Sequence, residues 1–239
     1  MPPTSESPFT YRGHDILELL REARNYNGWL ADQVLAACPK GAERTIDLGA
    51  GTGTFSTLVR QRGLNVECVE PDARNAELLR TSGFNVYEGL EQLPGSSVDY
   101  IFTLNVLEHV PDDRQLITRA HQCLRPGGKL FIFVPAFPIL WSSLDDHVEH
   151  VRRYRRKPLV TMLQETGWLV ESACYADSIG FFAALAFAGS GGELNGKQIA
   201  LYDRVVFPTS LLLDRVVRRS FGKNLMIICK KDGTEERVR

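Results

Sequence analysis

Thr45-Ile46-Asp47-Leu48-Gly49-Ala50-Gly51-Thr52-Gly53-Thr54-Phe55-Ser56 is the stretch from which the rest of the chain can be read. It reads as a short strand, a glycine-rich turn and the start of a helix. A turn this tight needs backbone conformations that glycine reaches cheaply, and a residue without Cβ lets a ligand lie against the main chain. The first N–H groups of the following helix have no partner inside it and can face that ligand. The spacing is G-x-G-x-G. A dinucleotide fingerprint would need a further glycine where Thr54 stands. Asp47, at the strand end, would repel a pyrophosphate but suits a cationic, amino-acid-like ligand. A second acidic residue follows at the expected distance. Val66-Glu67-Cys68-Val69-Glu70 reads as the next strand, and Pro71-Asp72 opens the next helix. A carboxylate about 20 residues beyond a glycine-rich turn, at the tip of the neighbouring strand, is placed to accept hydrogen bonds from ribose hydroxyls.

Working outward, strand-like and helix-like segments alternate. Strands are expected at 44–48, 65–70, 84–88, 98–104, 128–134 and 168–175, with a last one at 224–230. Helices are expected at about 54–62, 72–82, 112–124 and 157–165. Such alternation implies parallel strands joined by helical crossovers, and the mostly apolar strands suit burial on both faces. Ligands in such sheets sit beyond the carboxyl ends of the strands. Ahead of the glycine turn, 14–37 carries apolar positions at helical spacing, interrupted at Asn25-Tyr26-Asn27-Gly28, where a bend is expected.

These segments resemble the class I S-adenosylmethionine-dependent methyltransferases, with motif-level detail over 42–135. The resemblance implies one domain over 1–239, with a doubly wound, Rossmann-like sheet of seven mostly parallel strands and an antiparallel last strand. It implies S-adenosyl-L-methionine as cofactor, S-adenosyl-L-homocysteine as product, and a bacterial small-molecule branch of the family. The cofactor contacts it implies are Asp47, Gly49, Ala50, Gly51 and Gly53, then Glu70 with Pro71, Gly89 with Leu90, and Asn105. Gly89 stands where many members carry an aspartate for the adenine amino group, which leaves the Leu90 N–H and side chain to meet the ring. The leading segment 1–40 becomes a helical lid, with Tyr26 and Trp29 over the cofactor mouth or anchoring a helix on the core.

Two further loops carry the chemistry-bearing residues. After the fourth strand comes Asn105-Val106-Leu107-Glu108-His109-Val110, which looks like the family's LEHV loop and would face the acceptor. His109 titrates near neutral pH and is a candidate general base. After the fifth strand, Asp145, His150, Arg152, Arg153 and Tyr154 match a D-x-x-x-x-H-x-R-R-Y pattern of a bacterial branch. One reading makes His150 or His147 a base and Arg153 an anion site. The other is a salt-bridged loop that closes the sheet face. Asp146, His147 and His150 have only weak metal-ligand spacing, and no metal is expected.

Composition narrows the partners. The formal net charge of the 239 residues is −1, which gives no footprint for nucleic acid. The five cysteines have no C-x-x-C spacing, so free thiols in a reducing, cytoplasmic setting are expected. No signal peptide or membrane-spanning stretch is read. The insertion at 177–222, between the sixth and last strands, is apolar and arginine-bearing. It can cover the sheet edge, wall an acceptor pocket, or meet a membrane surface to fetch a lipid-linked acceptor. The acceptor is expected to be a small molecule, methylated on oxygen, nitrogen or carbon. The alternatives are a nicotinamide-dependent oxidoreductase, a methyltransferase acting on protein or nucleic acid, and a non-catalytic relative that only binds the cofactor.

Overall fold

A computed structural model describes residues 21–190, 196–218 and 220–233. In chain order these form α1 (Arg24–Ala37), β1 (Thr45–Leu48), α2 (Thr54–Gln61), β2 (Glu67–Val69), α3 (Ala73–Thr81), β3 (Val86–Tyr87) and β4 (Val98–Leu104). They continue as α4 (Asp113–Cys123), β5 (Leu124–Pro135), α5 (Ser143–His147), α6 (Arg156–Glu165), β6 (Trp168–Ala176), α7 (Ser178–Ser190), α8 (Gly196–Leu201), α9 (Phe207–Val217) and β7 (Asn224–Lys231). A π turn, Tyr202–Val206, joins α8 to α9 as one continuous helix.

The seven strands lie in the order β3-β2-β1-β4-β5-β7-β6. β1 pairs in parallel with both β2 and β4, and β4 with β5. β7 runs antiparallel between β5 and β6. Side chains alternate along each strand, so the central strands feed two cores. Ile101, Leu130 and Ile132 point to the face covered by α4 and α6, with Ile117, Leu159 and Leu163. Tyr100, Phe102, Phe131 and Phe133 point to the other, covered by α1 and α2, with Leu30, Val34 and Val59. All of these side chains are buried.

Local signals explain the helix starts. Asp72 and Asp112 stand at the N-caps of α3 and α4 and accept from the Asn75 and Gln115 N–H groups, each 2.9 Å away. The turn Arg125-Pro126-Gly127-Gly128 does not precede β5 but lies inside it, because Leu124 already pairs with Val98 and a register shift absorbs the extra residues. The bend expected at 25–28 is absent. Asn25 to Gly28 belong to the first turns of α1, whose start is capped by Asp203 from the insertion. Its carboxylate accepts from the Asn25 N–H (2.9 Å) and the Tyr26 N–H (2.8 Å). α1 is therefore a layer helix on the sheet as well as an approach to the ligand side; 1–20, the rest of the expected lid, lie outside the described residues.

Candidate functional site

The site is built from the carboxyl ends of β1, β2 and β4. β1 delivers Asp47 in register with Cys68 and Phe102, and its side chain is 2% exposed. The Ser56 hydroxyl, from the first turn of α2, donates to Asp47 Oδ2 at 2.5 Å. Burial pushes the Asp47 carboxyl up to about 7; the Ser56 hydrogen bond pulls it down and the charge of Glu70 pushes it further up. Glu70, also buried, spans the glycine turn and the next helix. Its Oε2 accepts from the Gly51 N–H (2.6 Å) and its Oε1 from the Asp72 N–H (2.9 Å). Burial raises its pKa as well.

The turn itself needs its glycines. Gly49, Gly51 and Gly53 have φ of +79°, +55° and +79°. A Cβ on Gly49 would run into the side chain of Val106, and one on Gly53 would come within 2.7 Å of Leu79. Gly89 is different: its φ of −162° is extended backbone open to any residue, so no conformational demand explains that glycine. Leu90 follows it in a short 3₁₀ turn, buried. Asn105 has a left-handed φ of +55°, which asparagine tolerates, and its N–H donates to the Phe133 carbonyl at 2.8 Å. Tyr26 packs edge-on against Phe133 and Phe207, and its hydroxyl accepts from Asn224 at 3.3 Å. It anchors α1 in an aromatic cluster instead of standing free as a lid.

Val106, which seals the glycine turn, leads directly into the second half of the site. Glu108 is fully buried, and no other described residue hydrogen-bonds its carboxylate oxygens. Burial pushes it up to about 8, against the pull of its own N–H and of Arg153. The rings of His109 and His150 meet edge to face at 4.7 Å. Burial, then the charge of His150, lowers His109 to about 4, so its ring is neutral at pH 7. His150 is anchored from the other side: its Nδ1 lies 2.7 Å from Asp145 Oδ1, and its Nε2 3.8 Å from Glu108 Oε1.

Asp145 organises the loop. Arg153 grips it with a fork, Nε to Oδ1 at 2.8 Å and Nη2 to Oδ2 at 3.0 Å, and the Ser142 N–H adds a bond at 2.9 Å. Burial alone would raise Asp145; the His150 and Arg153 hydrogen bonds outweigh it and hold the carboxyl at about 2. Arg153 is thus used up internally, with Nη1 on the Ala136 carbonyl, and the anion-binding role considered for it falls away. Arg152 likewise pairs with Asp113 at 2.8 Å, and the Tyr154 hydroxyl donates to Asp113 at 2.7 Å. Of the three residues with weak metal-ligand spacing, Asp146 accepts from the Trp141 indole. Among the described residues, the group with ligand atoms close together, within 4.8 Å, is Glu108, His109 and His150. Ser56 and Glu108 escaped the sequence reading. A serine nine residues after the strand-end aspartate, and an acid flanked by Leu107 and His109, are the signals they left.

A doubly wound sheet with one antiparallel strand and a glycine turn facing two buried carboxylates is the arrangement of the Rossmann-like methyltransferase class. A family model described as Methyltransferase domain matches residues 14–173, and the chain belongs to that family. An uncharacterized methyltransferase of Mycobacterium tuberculosis is 32% identical over 119 residues, 48% of this chain and 46% of that protein. A ubiquinone biosynthesis O-methyltransferase of Pseudomonas aeruginosa is 32% identical over 101 residues, 38% of this chain and 43% of that protein. The chain therefore spans less than half the length of these curated relatives. Among solved structures, a SAM dependent methyltransferase from Archaeoglobus fulgidus covers 91% of this chain and 100% of its own at TM-score 0.62 and 18% identity. A geranyl diphosphate C-methyltransferase from Streptomyces coelicolor covers 85% and 77% at TM-score 0.60 and 13% identity. These likenesses establish the fold, and with the family they set aside the nicotinamide alternative.

Proposed function

We propose that the protein transfers a methyl group from S-adenosylmethionine to a hydroxyl oxygen of a small-molecule acceptor. The observation that carries the reading is the Gly49–Gly53 turn set against the buried carboxylates Asp47 and Glu70. Positive-φ glycines leave room for a ligand along the backbone, and two desolvated carboxylates favour a cationic one. Asp47 and the turn would hold the amino-acid end, Glu70 would accept from the ribose hydroxyls, and Leu90 and Asn105 would line the adenine side. Pro71, Ala50 and Gly89 complete the wall as backbone. Bound there, the cofactor supplies a methyl group already activated by its sulfonium. The protein's remaining task is to align the acceptor and take its proton.

His150 is the better base of the two histidines. Asp145 accepts from Nδ1–H and fixes the tautomer that leaves Nε2 as the acceptor atom. His109, kept neutral by burial, shapes the wall beside it. As the acceptor oxygen takes the methyl, its proton passes to His150 Nε2 and from there to solvent. The likeness to the Pseudomonas O-methyltransferase favours oxygen over carbon. Calorimetric titration with S-adenosylhomocysteine, with NAD in parallel, tests the reading. Saturable binding of the first alone is expected. Binding of NAD alone, or of neither, would overturn it. A methyl-label transfer assay with cell extract then separates an enzyme from a relative that only binds.

A further inference from the structure

The insertion does more than cover the sheet. From Gly196 to Val217 the chain is one helix, with Leu201 and Phe207 in helical conformation on either side of the π turn. At ~1.5 Å per residue, its length is roughly 33 Å. Its inner face is read off the burial of Ile199, Asp203, Phe207, Ser210 and Asp214, at spacings of four, four, three and four. The outer face of a helix on a water-soluble protein is ordinarily polar. Here the corresponding outer stripe is apolar. Leu201 is 64% exposed, Val205 55%, Leu212 61% and Val216 81%, with Pro208 exposed between them. Phe182 and Leu185 on the neighbouring α7 are exposed too.

The charges on this element are sorted by sign. Among the described residues of 178–218, both carboxylates are buried and spent on backbone N–H groups. Asp203 caps α1, and Asp214 accepts from the Asp177 and Ser178 N–H groups at 2.8 and 2.9 Å. Every exposed charge is cationic: Lys197, Arg204, Arg215 and Arg218. None of the four is in an ion pair among the described residues. An apolar stripe flanked, among the described residues, by cations without ion-pair partners is the pattern of a helix that lies in the plane of an anionic lipid surface. No helix among the described residues is long and apolar enough to cross a membrane, which fits a helix lying on the surface and not through it. A second copy of the chain is the poorer occupant, because a two-fold contact on this face would set arginine against arginine.

We infer that the Gly196–Val217 helix docks the protein on a bilayer rich in anionic phospholipid, with Leu201, Val205, Leu212 and Val216 entering the headgroup boundary. The inference stands on the helix alone and does not need the methyltransferase reading.

Co-sedimentation of the full chain with vesicles tests it, comparing phosphatidylcholine alone with phosphatidylcholine mixed with phosphatidylglycerol. Binding to the mixed vesicles and not to the neutral ones is expected, weakening as salt rises. A basic residue at an anionic surface contributes about a fivefold factor in partitioning, so Arg204→Gln/Arg215→Gln should weaken binding about 25-fold. Leu212→Glu/Val216→Glu should abolish it while leaving thermal stability and S-adenosylhomocysteine affinity unchanged, since both side chains already face solvent. Absence of vesicle binding, equal binding to both compositions, or binding indifferent to these variants would each overturn the inference. So would light scattering that shows a dimer dispersed by Leu212→Glu/Val216→Glu without any lipid binding.

Discussion

Asp47→Asn should stabilise the fold and cripple the ligand site together, and the two effects can be separated by pH. The substitution is nearly isosteric, and the asparagine carbonyl can still accept from Ser56. What changes is charge. The Asp47 carboxyl rises from an ordinary 3.8 to about 7 in the fold, chiefly because it is buried. The folded state therefore holds the proton that the unfolded chain has already lost, and stability declines as pH climbs through that window. At ~1.4 kcal/mol per unit, holding Asp47 ionised above pH 7 costs up to about 4 kcal/mol. The sign follows directly: the gain from asparagine is near zero in strong acid, grows between the two pKa values and is constant above the upper one. Urea unfolding of wild type and variant at about pH 5 and about pH 8.5 should show an advantage roughly 3 kcal/mol larger at the higher pH. S-adenosylhomocysteine, whose ammonium would face the carboxylate, should bind the variant at least tenfold more weakly, since about 1.4 kcal/mol separates each decade. For wild type, affinity should rise as pH passes 7 and level off above. An asparagine variant that is less stable at the higher pH, or equally stable at both, would refute the desolvation argument. Near-normal affinity would mean that Asp47 is not at the ligand.

Three other outcomes follow from the same geometry. Gly49→Ala should cost about 2 kcal/mol or more in chemical denaturation, from left-handed backbone and collision with Val106, and pairing it with Val106→Ala should restore only the collision part. His150→Ala should lower turnover ~100-fold or more with little change in cofactor affinity, and Asp145→Asn should lower it through loss of ring orientation, whereas a nuclear magnetic resonance titration should find the His109 ring neutral until pH nears 4. Turnover unchanged by exhaustive chelation would keep His150 as a base, while loss rescued by a divalent ion would make Glu108, His109 and His150 a metal centre.

The sheet was largely legible because its signals are local. Strands expected at 44–48 and 98–104 stand at Thr45–Leu48 and Val98–Leu104, and the helix expected at 112–124 at Asp113–Cys123. Period, glycine position and capping aspartates lie within a few residues of what they specify. What was not legible rests on partners that only the folded chain brings together, whether eight or nine residues away or 178. Asn25-Tyr26-Asn27-Gly28 has the composition of a bend, yet it is helical because a carboxylate 178 residues later caps Asn25. For Arg153 the sequence left an anion site and a salt-bridged loop both open, and the fold selects the second, with Asp145 filling its fork. Ser56 was visible as a residue, but its bond to Asp47 depends on the turn between them closing back over the strand end.

The same locality explains where the fold gives up stability. Asp47, Glu70 and Glu108 stand at or just beyond the carboxyl ends of β1, β2 and β4, each with its pKa raised by burial. A sheet selected for stability alone would place apolar or neutral residues there. Asp145, equally buried, is compensated in full by Arg153, His150 and Ser142. The chain can satisfy a buried carboxylate where none is needed for a ligand. Glu70 is met by two backbone N–H groups and the Asn75 side chain, Asp47 by one hydroxyl and Glu108 by its own N–H with the His150 ring 3.8 Å away, and no lysine or arginine pairs with them among the described residues. That difference separates structural charge from charge held ready. It predicts that stability gained by neutralising Asp47 or Glu108 comes at the expense of ligand binding or turnover, whereas neutralising Asp145 loses stability and turnover together.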